Sequence, residues 1–167
     1  MMKRGVPFTA LLRLVMVFFL LGSEGLAAEP IKIGYMATLT GEGATWGQHE
    51  RDGALLAVKE INAKGGVLGR PLELICYDIK GKPEEGVNAI RRLIYDDKVV
   101  AIGGSNYSGI QLAVAPIADK EQVPVVATSA TNPAVTVDPN TGKVRPYMFR
   151  IGYTDPYQGR VIADYLI

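Results

Sequence analysis

The sequence predicts an α/β chain built on a parallel sheet, and three observations predict it. Short apolar runs alternate with longer segments whose apolar residues recur at helical spacing. The runs Val99-Val100-Ala101-Ile102 and Pro124-Val125-Val126-Ala127 are wholly apolar, as strands buried on both faces of a parallel sheet should be. Each runs into a polar loop: Gly103-Gly104-Ser105-Asn106-Tyr107-Ser108-Gly109 after the first, Thr128-Ser129-Ala130-Thr131-Asn132-Pro133 after the second. Two loops rich in hydroxyls at the carboxyl ends of neighbouring parallel strands mark the edge where open α/β sheets bind small ligands.

The first 27 residues stand apart from this pattern. Lys3, Arg4 and Arg13 form a basic front, Leu14 to Leu21 is an apolar core, and Gly25-Leu26-Ala27 supplies small residues. This is the pattern of a cleavable secretory signal. A membrane span needs about 20 apolar residues, and this run is shorter. Residues 28–167 are then the mature domain, with fifteen cations against sixteen anions, a net charge of −1. That balance leaves no basic footprint for nucleic acid. Cys76 is the only cysteine, so no internal disulfide can form, and its place in a predicted strand suits a small buried hydrophobe.

Along the mature chain, Ile31 to Ala37 reads as the first strand, followed by a loop carrying Gly41 and Gly43. Thr45-Trp46-Gly47-Gln48 has the spacing of a capping box. The helix behind it puts Leu55, Val58 and Ile61 on one face and stops at Gly65-Gly66. Leu72 to Asp78 is a second strand. Pro83-Glu84-Glu85 then opens a second helix, with Pro in the first turn and acids at the positive end of the dipole. Val87, Ile90 and Ile94 form its buried stripe. After the strand at Val99–Ile102 comes a third helix with Leu112, Val114, Ile117 and Ala118; Pro116 falls inside it and should kink it. Beyond the fourth strand, Asp138-Pro139-Asn140-Thr141-Gly142 is a turn, Tyr147 to Ile151 is extended, and Asp155 opens a last helix.

The motifs exclude several chemistries. Gly41 and Gly43 between strand and helix invite a dinucleotide reading, but the third fingerprint glycine falls on Trp46, whose indole would bar a pyrophosphate. Asp78 at a strand end does not rescue that pattern, and no Walker lysine follows Gly103-Gly104. Ser105 and Ser108 lack the flanking glycines of a nucleophile elbow, and His49 is the only histidine. Asp138-x-Asn140-x-Gly142 starts like a calcium loop but has Lys143 and Phe149 where Gly and Glu belong. No catalytic residue, metal site or cofactor is expected.

Non-covalent binding is what remains. Ser108 stands where the third helix begins, so its hydroxyl and the free amides of that turn would face an anion. The dipole adds about 0.3–1 kcal/mol for a carboxylate there. Ser129 and Thr131 could add donors from the adjacent strand end, and Trp46 could cover an apolar group. Taken singly, these hydroxyls would serve as well to cap helices and turns; three on one sheet edge point to a cleft.

At these residues the chain resembles the amino-terminal lobe of a type I periplasmic binding protein, in the leucine/isoleucine/valine-binding family of ABC importers. The motifs are Ile31-Lys32-Ile33-Gly34, Leu39-Thr40-Gly41, Trp46-Gly47, the run Glu60-Ile61-Asn62-Ala63-Lys64-Gly65-Gly66-Val67-Leu68-Gly69-Arg70, Tyr77-Asp78, Ala115-Pro116-Ile117-Ala118, Val123-Pro124 and Ala130-Thr131-Asn132-Pro133. The run through Gly69 is the most specific of them, and a proline in the third helix is usual in the family.

The resemblance implies a three-layer sandwich with a parallel, flavodoxin-like sheet, forming one lobe of a protein that closes on an amino acid and passes it to a membrane permease. It implies a periplasmic location. It assigns Ser108, Ser129 and Thr131 to the ligand's α-carboxylate and ammonium, with backbone groups of Ser129 and Ala130 beside them, and Trp46 to the side-chain pocket. The chain departs from the family in two respects. Some members pair a cysteine near Cys76 with one in the Gly103–Ser108 loop, and that partner is missing. The second lobe, with the acid that meets the ligand ammonium, is also missing, so the chain is expected to be truncated and to bind weakly or not at all alone. Three alternatives stand beside this reading: a sensor of the same fold for amides or small carboxylates, a flavodoxin-like enzyme, and a truncated, non-functional fragment.

Overall fold

A computed structural model describes residues 28–166; the expected export signal at 1–27 lies outside the described residues. The chain forms β1 (Ile31–Ala37), α1 (Ala44–Ala63), β2 (Leu72–Asp78), α2 (Pro83–Arg91), β3 (Ala101–Gly104), α3 (Ser108–Glu121), β4 (Val125–Ala127), β5 (Met148–Arg150) and α4 (Asp155–Leu166). The five strands make one sheet in the order β2-β1-β3-β4-β5, and every adjacent pair is parallel. This is the flavodoxin-like strand order, whose direction of winding reverses between β1 and β3. The α/β class and parallel sheet expected of the sequence are therefore present, and the extended segment around Phe149 is the fifth strand.

Apolar side chains from the sheet and from α2 and α3 make the core. Met36, Ile90, Leu93, Ile102, Val114 and Val125 are all fully buried or nearly so. Ala115 and Ala118 sit among them and let α3 lie close. Pro116 faces solvent in the middle of α3, where water can take the carbonyl that loses its helical partner. Past its end, α2 runs into a π-helical turn at Arg92–Asp96. Tyr77 pins that turn: its hydroxyl donates to Asp97 at 2.9 Å and its ring lies 4.2 Å under the Arg92 guanidinium.

Several local expectations are corrected. The strand expected at Val99–Ile102 is shifted to Ala101–Gly104, and Val100 is exposed. Gly103 and Gly104 can carry the strand forward because side chains there would run into the Tyr35 ring and the Met36 carbonyl. The capping box at Thr45 and Gln48 does not form. Gly43, at φ +79°, is the N-cap, and the helix begins at Ala44. Gln48 instead donates to the Leu39 carbonyl at 3.1 Å. The stripe expected to bury α1 is largely open: Leu55 and Ile61 are exposed and Val58 is half-buried. α1 packs beside β1 and β2 at one edge of the sheet, and Gly47 is its one buried residue.

Candidate functional site

The carboxyl ends of β1, β3 and β4 each lead into a polar segment, and side chains lock these segments together. After β1, the loop is held by Asp78 at the end of β2. One Asp78 oxygen accepts the amides of Leu39 and Lys80, both at 2.9 Å, and the other accepts the Thr40 hydroxyl at 2.5 Å. Burial pushes this carboxyl up, but the hydrogen bonds from the Thr40 hydroxyl and neighbouring amides outweigh it and hold the pKa below the ordinary value. Asp78 is thus committed to the loop.

Gly47 then seats the first turn of α1 on the end of β1, where a Cβ would collide with the Thr38 backbone. That close seating places Trp46 at the rim, 60% exposed. Together with His49 and Glu50 it lines an open recess of about 380 Å³. A second recess, lined by Glu29, Lys32, Arg70 and Asp97 among others, lies at the amino ends of the strands, away from these loops.

After β3, Ser105 is fully buried at φ +62°. Gln111, also fully buried, donates to the carbonyls of Gly104 and Ser105 at 2.6 and 3.2 Å. This fixes the approach to α3, whose first residue is Ser108. No side chain caps that helix; the Ser108 oxygen instead accepts the Asn132 amide at 3.3 Å. The loop after β4 is therefore tied directly to the start of α3.

Arg150, on β5, anchors the same loop from the other side. Its guanidinium donates to the carbonyls of Ala130, Asn132 and Pro133 at 3.1, 3.0 and 3.2 Å, and to the Thr136 hydroxyl at 2.8 Å. Ala130 is buried with its carbonyl already taken, so its amide is the group it can offer. Ser129 is exposed and Thr131 half-buried. The structure thus brings Ser108, Ser129, Ala130 and Thr131 to one edge, with Trp46 at its rim on α1.

Four buried side-chain atoms lack a hydrogen-bond partner among the described residues: Thr38 Oγ1, Glu50 Oε2, Asn106 Oδ1 and Gln111 Oε1. All belong to the segments that follow β1 and β3. Native interiors tolerate few such atoms, and here they gather at the sheet edge that carries the candidate site. Elsewhere the Asp138 loop is a simple turn, Asp138 Oδ1 accepting the Asn140 amide at 2.8 Å. No cluster suited to a metal ion occurs among the described residues.

Sequence reasoning missed Arg150, Gln111 and Glu50. Arg150 and Glu50 act on groups distant along the chain, Glu50 being 78 residues from its partner Thr128. Gln111 acts on backbone carbonyls six and seven residues before it, which helical spacing does not announce. Only the alternation of Met148, Phe149 and Arg150, with the arginine on the inward parity of a strand ending at this edge, carried a signal.

The chain is similar to known proteins in sequence and fold. Residues 30–167 match the profile of a family described as periplasmic binding protein. The leucine-specific-binding protein of Salmonella typhimurium is 32% identical over 145 residues, 87% of this chain and 38% of that protein. Among solved structures, a branched-chain amino acid transporter substrate-binding protein of Streptococcus pneumoniae in complex with isoleucine superposes at a TM-score of 0.74. It is 35% identical over 82% of this chain and 38% of its own. A solute-binding protein of an ABC transporter from Rhodopseudomonas palustris, in complex with 3,4-dihydroxybenzoic acid, gives a TM-score of 0.65. Its identity is 27%, over 75% of this chain and 32% of its own. The chain spans well under half the length of the relatives it matches.

Proposed function

The chain belongs to the periplasmic binding protein family, in its type I leucine/isoleucine/valine-binding group, and on that premise we propose that it is the extracytoplasmic substrate-binding component of an ABC importer for branched-chain or related amino acids. The ligand's α-carboxylate is received by the Ser108 hydroxyl and the first-turn amides of α3. Ser129, Thr131 and the Ala130 amide hold the rest of its polar head, and Trp46 covers its side chain. A permease in the membrane takes the ligand onward, and the protein works by binding and release, without catalysis.

The observation that carries this reading is the convergence of the loops after β3 and β4 on one edge, joined through Ser108 and Asn132. Two relatives with different ligands, isoleucine and a dihydroxybenzoic acid, support it. Those ligands share a carboxylate, the group that a helix start and hydroxyls would grip.

Thermal unfolding in millimolar panels of amino acids, amides and aromatic acids tests the assignment, since a ligand of the native state raises the midpoint by mass action. Leucine, isoleucine or valine should raise it. A shift with amides alone, or with none of the panel, contradicts the proposal.

A further inference from the structure

Glu50 lies where α1 meets the loop after β4. Its Oε1 accepts the Thr128 hydroxyl at 2.6 Å, while its Oε2 is buried without a partner. Trp46 is one turn earlier on the same helix, so the two side chains share a face. The Trp46 indole favours the ionised form of the carboxylate. Thr128 opens the segment that continues through Ser129, Ala130 and Thr131. One half-buried carboxylate, itself lining the recess beside Trp46, thus ties α1 to the loop that carries Ser129, Ala130 and Thr131.

We propose that Glu50 is a positioning residue: its ionised carboxylate holds the Trp46 turn of α1 against the Thr128–Thr131 loop, and ligand affinity falls when it takes up a proton. The ligand half of this statement rests on the function proposed above; the latch itself does not.

Burial pushes the Glu50 carboxyl above its ordinary value, and the Thr128 hydroxyl and Trp46 indole only partly pull it back. Protonation therefore sets in above the ordinary glutamate value. Behind it on β1 is the Tyr35 phenol, which burial and the Glu50 charge hold well above the usual tyrosine range. Cys76 on β2, beside Tyr35, is likewise raised by burial. Both stay neutral throughout an acid titration. His49 and Arg51 flank Glu50 on its own helix; the arginine keeps its charge, and the histidine is removed by substitution in the test.

Trp46 is the only tryptophan in the chain, so intrinsic emission reports this contact. The test is an acid titration of emission from the ligand-free chain, for wild type, H49Q, E50Q and T128V. Wild type and H49Q should each show a transition with a midpoint above the 4.5 of an unperturbed glutamate. E50Q, which keeps an acceptor for Thr128 but cannot titrate, should show none. T128V should move the midpoint higher, because a donor that favours the charge is lost. Calorimetric titration with leucine on either side of the midpoint completes the test. Wild type should lose affinity severalfold in acid, E50Q should bind independently of pH, and E50A should bind poorly throughout. A transition that persists in E50Q, or is absent from wild type, overturns the proposal, as does an E50Q affinity that follows pH as wild type does. A chain that binds no amino acid at any pH overturns the proposed function, while the emission titration still decides for or against the latch.

Discussion

The Ser108 hydroxyl oxygen accepts a hydrogen bond from the Asn132 backbone amide at 3.3 Å, joining the first turn of α3 to the loop after β4. An oxygen occupied as an acceptor still has its own proton to donate, so Ser108 can brace the loop and face a carboxylate together. Ser108→Ala should therefore cost about 0.5–1.5 kcal/mol in ligand binding while leaving the core intact. The check is a leucine titration by calorimetry beside an unfolding curve. Unchanged affinity would place the carboxylate elsewhere.

Arg150 carries the loop's backbone, and its removal should be more costly than that of any single hydroxyl. Arg150→Met preserves much of the side chain's bulk but strands the carbonyls of Ala130, Asn132 and Pro133, which now accept from the guanidinium. A destabilisation of about 2–4 kcal/mol is expected, read from urea unfolding midpoints.

Two glycines in α1 should respond in opposite directions to the same substitution. Gly47→Ala drives a methyl into the Thr38 backbone, and such a clash, with backbone on both sides, should destabilise by about 2 kcal/mol or more. Gly53 has open space around its Cβ position, so Gly53→Ala should stabilise by about 0.5–1 kcal/mol through helix propensity. Thermal midpoints of the two variants settle the contrast.

Asp78 predicts a pH dependence. Its folded pKa lies below the ordinary 3.8, because hydrogen bonds to the ionised form outweigh burial. Its contribution is therefore present above the unfolded value and lost as pH falls through the folded one. Asp78→Asn should be less stable than wild type at neutral pH, and the gap should close as the solution is acidified. A gap of constant size from neutral pH into strong acid would contradict this account.

The sheet and the polar loops at its strand ends were legible because they rest on local signals. Apolar runs, helical stripes and polar strand-end loops announce themselves within a dozen residues, and Ser108 does stand at a helix start. Less was legible where the outcome depends on distant partners. Asp78 reads from sequence as a strand-end acid, yet its role is set by Leu39 and Thr40 some forty residues earlier. The Thr45–Gln48 spacing suggested a cap, but Gly43 with its positive φ took the position. Leu55 and Ile61 follow the helical period, but only neighbouring elements decide burial, and α1 lies at the sheet edge. The strand at Ala101–Gly104 slid toward its loop because two glycines fit beneath Tyr35 and against β1, a constraint that apolar composition does not encode.

The proposed function requires that a ligand carboxylate be gripped at the start of α3 and by the loop after β4. The most direct measurement is an amide ¹H–¹⁵N NMR titration of the labelled chain with leucine and, separately, with leucinamide, which lacks the carboxylate. Leucine should shift the amides of residues 108–110 and 129–132 in a saturable way, and leucinamide should leave them nearly still. Equal shifts with both compounds, or leucine shifts confined to residues away from these two segments, would contradict it.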